Sequence, residues 1–140
     1  MDNVDILTRS KMMANIRSKN TIPELTVRRY LHSRGLRFRL HRKDLPGNPD
    51  IVMPKFMTCI FVHGCFWHRH PQCRFATTPA TRVNFWTEKF AKNVARDLRN
   101  IYALEQLGWK VLIIWECQLR NEPAALEALE AQVRGSAASC

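Results

Sequence analysis

The sequence has no apolar run that approaches the roughly twenty residues of a membrane-spanning helix. Its first residues include Asp2 and Asp5 and no apolar core, so they do not resemble a secretory signal peptide. Internal repeats are absent, and the one low-complexity stretch is the short Gly-Ser-Ala-Ala-Ser segment at 135–139. We therefore expect a cytoplasmic protein whose cysteines are free or metal-bound rather than paired in disulfides.

Acidic residues are also scarce. The 140 residues include 22 Lys and Arg against 12 Asp and Glu, which gives a net charge of +10. The imbalance is strongest in residues 1–43, with eleven basic and three acidic residues. Such a charge favours a polyanionic partner, nucleic acid before an anionic membrane. A hydrated basic surface is the simpler alternative, and only the motifs described below favour contacts with phosphates.

The hydrophobic pattern predicts alternating helices and strands. Their order is α-β-β-β-α-β-α, at about 21–34, 36–40, 50–53, 59–63, 82–106, 109–115 and 123–133. This order predicts an α/β domain of three layers, with a mixed central sheet flanked by helices. We divide the chain into a basic N-terminal arm or helix (1–20), a single domain (21–134) and a flexible tail (135–140).

Cysteine and histidine are concentrated in segment 64–79, which is too irregular to fold by hydrophobic burial alone. Two cysteines and two histidines fall within nine residues there, and a further cysteine follows a predicted strand: Cys65, His68, His70, Cys73 and Cys117. Four ligands of these types are typical of a closed, structural zinc site. The spacing allows the three cysteines to act with either histidine. Buried reduced thiols with surface histidines are the simpler alternative.

A second group of residues has the character of a catalytic centre. Asp50 begins a strand directly after Pro49, and the next strand ends at His63. A carboxylate there can hold Mg²⁺ together with carbonyl oxygens of the adjoining backbone. His63 and His68 can then face the cation and move protons during attack on a phosphodiester, and Glu24 can complete the pocket. Alternatively, Asp50 is an ordinary turn residue and the histidines are structural.

Several separate motifs resemble the very short patch repair (Vsr-type) DNA mismatch endonucleases. The most distinctive is His63-Gly64-Cys65-Phe66-Trp67-His68, and the resemblance extends over residues 8–119. The others are Thr8-Arg9-Ser10-Lys11, Leu45-Pro46-Gly47-Asn48-Pro49-Asp50, Pro79-Ala80-Thr81-Arg82 with Phe85-Trp86, Lys92-Asn93-Val94, and Leu107-Gly108-Trp109 through Trp115-Glu116-Cys117. The resemblance implies a restriction-endonuclease-like fold. It also implies a nick 5′ to the thymine of a T:G mismatch, the lesion left by deamination of 5-methylcytosine, to start very short patch repair.

The resemblance further implies a role for each residue of the catalytic group. Asp50 and the main-chain carbonyl of Val62 are expected to bind Mg²⁺. His63 and His68 are expected to assist the metal-bound waters, with His68 as the favoured proton-transfer residue and Glu24 supporting the same waters. The Asp/Glu-x-Lys element of restriction-type folds is absent, because Phe61-Val62-His63 stands in its place.

The remaining roles implied by the resemblance concern zinc and DNA. Zinc is assigned to Cys65, His70, Cys73 and Cys117, which favours His70 over His68. Three aromatic residues are expected to wedge into the duplex beside the mismatch, with a methionine of the N-terminal arm entering from the other groove: Phe66, Trp67, Trp86 and Met13. Packing in the core is the simpler explanation of the aromatic residues, and Trp86 fits an apolar helical stripe well.

We expect the chain to act as a monomer at the nucleoid, on double-stranded DNA containing a T:G mismatch, with other repair proteins as further partners and no membrane. Two alternatives remain open at this point. The first is a sequence-specific nuclease that needs no mismatch. The second is a non-catalytic, zinc-bearing DNA-binding module in which Asp50 is only a turn residue.

Overall fold

The structure, a computed structural model, describes residues 21–138, except for the side chains at 121–122 and 136–138. The predicted arm at 1–20, and Met13 with it, lies outside the described residues. The helices are α1 (Ile22–Ser33), α2 (Cys65–His68), α3 (Val83–Gln106) and α4 (Glu122–Ala138). The strands are β1 (Arg39–Leu40), β2 (Ile51–Met53), β3 (Thr58–His63) and β4 (Lys110–Trp115). Short 3-10 helices span Pro54–Phe56 and Glu116–Asn121.

The first helix begins and ends where its sequence signals lie. Thr21 caps α1, because its hydroxyl oxygen accepts a hydrogen bond from the Glu24 N–H at 3.4 Å. Pro23 is tolerated in the first turn, where its missing N–H has no helical partner. At the other end, Gly35 adopts a φ of +76°, which a residue with a side chain rarely does. The helix therefore places Glu24 in its first turn.

The four strands form one mixed sheet in the order β1-β2-β3-β4. Strands β2 and β3 form an antiparallel hairpin, with Ile51 opposite Ile60. Strand β4 instead runs parallel to β3, with Val62 beside Ile114. The connection from β3 to β4 contains helices α2 and α3, as a parallel pairing requires a long crossover.

Helices cover both faces of this sheet, as the predicted layers require. On one face, α1 and α4 pack against the strands through Val27, Leu31, Leu126, Leu129 and Val133. On the other face, Leu104 of α3 joins the buried residues Leu45, Val52, Cys59 and Phe61. Each of these large apolar side chains stabilises the fold by about 1.5–3 kcal/mol through burial. The sheet is therefore packed on both faces, and the residues at the ends of its strands are held by this packing.

Two predicted boundaries were wrong. Strand β1 has two residues rather than the predicted five, because β2 is only three residues long and the buried Pro49 has no N–H to extend the ladder. The last helix ends at Ala138 rather than near 133, so residues 135–138, predicted as tail, are helical. Alanine has the highest helix propensity, which explains the extension through Ala137 and Ala138. Among the described helices, none is long and apolar enough to cross a membrane.

Candidate active site and metal centres

The parallel pairing of β3 and β4 brings two distant cysteines together. His63 at the end of β3 lies beside Trp115 at the end of β4. Cys65 and Cys117 each follow two positions later, so both leave the sheet at the same edge. A short helix begins soon after each of these strands, at Cys65 after β3 and at Glu116 after β4. This edge of the sheet carries the chemistry-bearing residues.

The cysteine cluster consists of Cys65, His70, Cys73 and Cys117, whose ligand atoms all lie within 4.8 Å of one another. The Nδ1 atom of His70 is 3.7 Å from the Cys65 sulfur and 3.3 Å from the Cys117 sulfur. Tetrahedral zinc with ordinary bond lengths would separate a nitrogen and a sulfur ligand by about 3.6 Å. Three cysteines and one histidine at these separations have the donor chemistry and spacing of a closed zinc site.

Surrounding groups hold the cysteine cluster in place. The His70 ring stacks on Trp115, with centroids 4.2 Å apart, and the Cys65 N–H donates to Glu116 Oε1 at 3.2 Å. Burial raises the pKa of the Cys65 thiol to about 12 in the absence of a cation. Burial also disfavours the Cys73 thiolate, but hydrogen bonds from neighbouring backbone and thiols outweigh it and lower the pKa of Cys73. Thiols crowded in this way favour a cation that replaces their protons.

Asp50 lies at the end of the turn that precedes β2, next to the backbone of β3. Its Oδ2 accepts a hydrogen bond from the Val62 N–H at 2.7 Å. Burial raises the pKa of Asp50 to about 7, the Val62 hydrogen bond opposes this, and the nearby Glu24 charge adds to it. A partly buried carboxyl with so raised a pKa gains from a bound cation, which is typical of a metal-binding or catalytic position.

His63 and His68 form a stacked pair, with ring centroids 3.8 Å apart and planes inclined by 4°. His68 Nδ1 lies 2.7 Å from Asp97 Oδ2, so the ring donates that hydrogen to the carboxylate. His63 is buried, and burial together with the neighbouring His68 lowers its pKa to about 3. Its Nδ1 is buried without a hydrogen-bond partner among the described residues. The two imidazoles therefore differ, since one is oriented by a carboxylate and the other is held neutral.

The short helix α2 belongs to both centres. Cys65, its first residue, lies in the cysteine cluster, and His68, its last residue, contacts His63 and Asp97. His70 rather than His68 lies in the cysteine cluster, and this position favours His70 as the fourth ligand of a metal there. The chain reverses just after α2 because Arg69 adopts the left-handed conformation, with a φ of 56°.

Glu24 lies in a third group that adjoins Asp50. Arg28, one turn along α1, donates to Glu24 Oε2 at 2.9 Å. The Nε2 atom of His41 lies 3.3 Å from the same oxygen and 3.9 Å from Asp50 Oδ1. The ligand atoms of Glu24, His41 and Asp50 all lie within 4.8 Å of one another. The structure thus brings the predicted Glu24 and Asp50 together.

Sequence reasoning missed Asp97, Arg28 and His41. Asp97 had a usable signal, because Phe90, Asn93 and Asp97 recur at helical spacing on α3, and a polar residue within a buried stripe indicates a specific contact. Asn93 makes such a contact, donating to the Trp67 carbonyl at 3.2 Å. His41 gave no such signal, since it follows a short edge strand among other basic residues.

The three aromatic residues predicted to wedge into DNA lie together. Trp67 is 4.9 Å from Phe66 and 6.0 Å from Trp86, measured between ring centroids. Trp67 is only 8% exposed, whereas Phe66 and Trp86 are half-buried. Phe90 of α3 packs against both Phe66 and Trp86 from the core side. The cluster is therefore anchored in α3 while part of its surface remains accessible.

Comparisons with known proteins bear on this site. A family model described as "DNA mismatch endonuclease Vsr" matches residues 1–74. The Type II nicking enzyme V.XorIIP of Xanthomonas oryzae pv. oryzae is 52% identical over 90% of this chain and 89% of that protein. The DNA mismatch endonuclease Vsr of Escherichia coli is 46% identical over 96% of this chain and 89% of that protein. The Type II nicking enzyme V.NmeAIP of Neisseria meningitidis is 44% identical over 93% of this chain and 94% of that protein.

The family model ends before Asp97 and Cys117, whereas the three relatives match 90–96% of the chain. The mixed α/β architecture agrees with the restriction-endonuclease-like fold that the family implies. The chain belongs to the Vsr family of DNA mismatch endonucleases and is a DNA endonuclease.

Proposed function

We propose that this endonuclease nicks one strand 5′ to the thymine of a T:G mismatch, by Mg²⁺-dependent hydrolysis of the phosphodiester, to start very short patch repair. The observation that carries the proposal is the stacked pair of His63 and His68, in which His68 is hydrogen-bonded to Asp97 and near enough to Asp50 to lower the pKa of its carboxyl. The names of the relatives support mismatch cleavage and strand nicking. The basic excess of the chain supports a DNA substrate.

His68 is the proposed proton-transfer residue. Because its Nδ1–H is directed to Asp97, the lone pair of Nε2 is available to take a proton from an attacking water. Asp97 also stabilises the imidazolium that forms when His68 is protonated. His63 remains neutral at physiological pH, so it can hydrogen-bond a water without placing a second positive charge against His68.

Asp50 and the carbonyl of Val62 are the proposed ligands of Mg²⁺. Glu24 is proposed to interact with the water molecules bound to Mg²⁺. Oxygen donors of these kinds suit a hard cation, and burial raises the pKa of Asp50, so a bound cation would stabilise its charged form. Bound Mg²⁺ would supply charge stabilisation at the phosphate and lower the pKa of water. Val62 already fixes the carboxylate by donating its N–H to Oδ2.

The cysteine cluster is the proposed zinc site, and its role is structural. Four protein ligands leave no open position for a substrate. Zinc would tie the segment that carries His68, Phe66 and Trp67 to the end of β4. Metal binding at this point contributes folding free energy to a segment that buries few apolar side chains.

Phe66, Trp67 and Trp86 are the proposed wedge, with Met13 acting from the other groove. Inserting apolar side chains between base steps costs unstacking energy, and a mismatched step resists least. This difference would give preference for a mismatch, in addition to any hydrogen bonds to base edges. Phe66 and Trp86 pack on Phe90, and Trp67 packs against both of them, so little side-chain entropy would remain to be lost on insertion.

A nicking assay on matched duplexes tests this proposal. Wild-type protein with Mg²⁺ should nick a T:G duplex at least about a hundredfold faster than the C:G duplex of the same sequence. A factor of this size corresponds to the upper part of the roughly 1–3 kcal/mol that one base pair contributes to recognition. Asp50→Ala should abolish nicking, whereas Asp44→Ala should not, because Asp44 is an exposed neighbour paired with Arg42. Equal rates on both duplexes would favour a sequence-specific nuclease. No nicking of either would favour a DNA-binding module.

A further inference from the structure

Glu24 and Asp50 present an electrostatic difficulty. Their side chains are only 8% and 19% exposed, and their oxygens belong to one group within 4.8 Å. Two carboxylates this close repel each other, and water is too scarce to screen the repulsion. Arg28 compensates one of them by donating to Glu24 at 2.9 Å. A further group is needed to hold the Glu24 and Asp50 oxygens at their observed separation.

His41 lies between the two carboxylates. Its Nε2 is 3.3 Å from Glu24 Oε2 and 3.9 Å from Asp50 Oδ1, and its side chain is 13% exposed. Both carboxylates are acceptors, so the tautomer with hydrogen on Nε2 places a donor between them. The opposite tautomer would direct a lone pair at two negative charges. Arg28 Nη2 lies 3.4 Å from the same nitrogen and, as a donor only, would favour the opposite tautomer. Arg28 already donates to Glu24 at 2.9 Å, however, so the two carboxylate acceptors beside Nε2 outweigh it and favour hydrogen on Nε2.

The backbone of His41 supports a specific role. Its φ of 44° is left-handed, a conformation that residues other than glycine adopt uncommonly. Such conformations are concentrated at functional sites, where the surrounding structure enforces them. Here the His41 N–H donates to the Asp50 carbonyl at 3.4 Å, one position beyond the pairing of Leu40 with Ile51. The same contact therefore ties the backbone of His41 to the residue that its ring faces.

We propose that His41 is a positioning residue of the catalytic centre, which holds the carboxylates of Glu24 and Asp50 in place for a divalent cation. It acts by donating Nε2–H between them, while Arg28 neutralises Glu24. It is not itself a ligand. This role rests on the proposed function, since it takes Asp50 as the residue that binds the cation.

Mn²⁺ binding in the absence of DNA tests this role without relying on activity, because Mn²⁺ takes oxygen ligands as Mg²⁺ does. His41→Leu should raise the Kd for Mn²⁺ by about tenfold or more, as the loss of an outer-shell partner typically does. His41→Gln retains an N–H donor and should stay within about threefold of wild type. His32→Leu is the matched control, because His32 is exposed on α1 and should leave binding unchanged.

A further variant protects the test against misfolding. His41→Gly removes the ring but suits the left-handed backbone, so it should fold at least as well as wild type and still bind Mn²⁺ about tenfold more weakly. Wild-type affinity in both His41→Gly and His41→Leu would overturn the proposal. Pulsed electron paramagnetic resonance provides a second check, since a ¹⁴N coupling to Mn²⁺ that disappears in His41→Gln would make His41 a ligand and also overturn it.

The nicking assay separates this proposal from the proposed function. With saturating Mg²⁺, His41→Gly should lower kcat by about tenfold or more with little change in the KM for duplex, because the aromatic wedge is untouched. Wild-type protein that binds Mn²⁺ through Asp50 but nicks no duplex would refute the proposed function and leave the role of His41 in binding intact.

Discussion

The cysteine cluster and the proposed catalytic centre lie at one edge of the same sheet and share the short helix α2, yet they differ in their chemistry. The cysteine cluster offers three sulfurs and one imidazole, whose ligand atoms lie within 4.8 Å of one another. The proposed catalytic centre offers the carboxylates of Asp50 and Glu24 and two imidazoles, and hydrogen bonds from Val62, to Asp97 and from Arg28 hold these groups. Soft ligands in a closed shell suit a structural zinc, whereas oxygen ligands in an open arrangement suit a cation that keeps its waters.

The comparison shows how one turn of helix can serve two purposes. Cys65 and His68 are three positions apart on α2, so a cation at the cysteine cluster would fix the orientation of the helix that presents His68. With zinc bound as proposed, the cysteine cluster would hold segment 64–79, in which few apolar side chains besides Phe66 and Trp67 are packed. Its removal should disrupt both centres, whereas changes in the catalytic centre should leave the cysteine cluster intact. This asymmetry can be tested in four ways.

The largest effect is expected from removal of one cysteine. Cys117→Ala should eliminate tightly bound zinc, because structural zinc sites contribute about 10–16 kcal/mol in isolated zinc-finger peptides. Residues 64–79 should then exchange amide hydrogens much faster than the strands, and nicking should be lost. Cys59→Ala is the matched control, since Cys59 is buried in the core and lies apart from the cysteine cluster. Retention of zinc by Cys117→Ala would contradict the assignment.

Loss of the proton-transfer residue should leave zinc in place. His68→Ala should slow nicking by about 10²–10⁴-fold, the usual contribution of general acid–base catalysis. One zinc per chain should remain, because His68 lies outside the cysteine cluster. Zinc analysis beside single-turnover kinetics measures both properties. Loss of zinc from His68→Ala would show that the two centres are not independent. Wild-type nicking rates in this variant would show that His68 does not transfer the proton.

Binding of a cation at Asp50 should depend on pH near neutrality. The pKa of Asp50 is raised to about 7 by burial, so the carboxyl is protonated below that pH and the proton competes with the cation. The Kd for Mn²⁺ should therefore rise by up to about tenfold for each pH unit below 7 and level off above it. Asp50→Asn should bind weakly at every pH. Equal wild-type affinity at about pH 5.5 and about pH 8 would contradict this assignment.

The smallest effect is expected at the wedge. Trp67→Ala should slow nicking of a T:G duplex by at least about tenfold, in line with the 1–3 kcal/mol that one stacking contact supplies. Trp109→Ala controls for the loss of a tryptophan, because Trp109 packs against Leu104 and its neighbours on the α3 side of the sheet. Fluorescence of 2-aminopurine beside the mismatch would report unstacking directly. Unchanged kinetics and fluorescence would rule out a wedge role for Trp67.

The sequence predicted most of the elements because their signals are local. The capping residue of α1, the continuous apolar run of β3 and the helical stripe of α3 depend on neighbours within a few positions. Strand β1 was overestimated because its length depends on its partner, and the three residues of β2 limit the ladder. Local pattern cannot reveal a limit that is imposed by another strand.

The candidate site was predictable only in part for the same reason. Cys65, Cys73 and the histidines are close in sequence, so their clustering could be seen directly. The contacts of Asp97 with His68 and of His41 with Glu24 join residues 29 and 17 positions apart, and these depend on how α3 and β1 pack. A spacing of two residues also cannot show which imidazole turns toward the thiols, and the structure places that of His70 beside the Cys117 sulfur.

Metal content measured alongside nicking tests most directly whether the two centres are separate. Purified wild-type protein should retain one zinc per chain through dialysis, remain inactive until Mg²⁺ is added, and then nick a T:G duplex with the zinc still bound. Protein that holds no zinc, or that nicks at the full rate when Mg²⁺ is withheld, would contradict the division of the sheet edge into a structural and a catalytic centre.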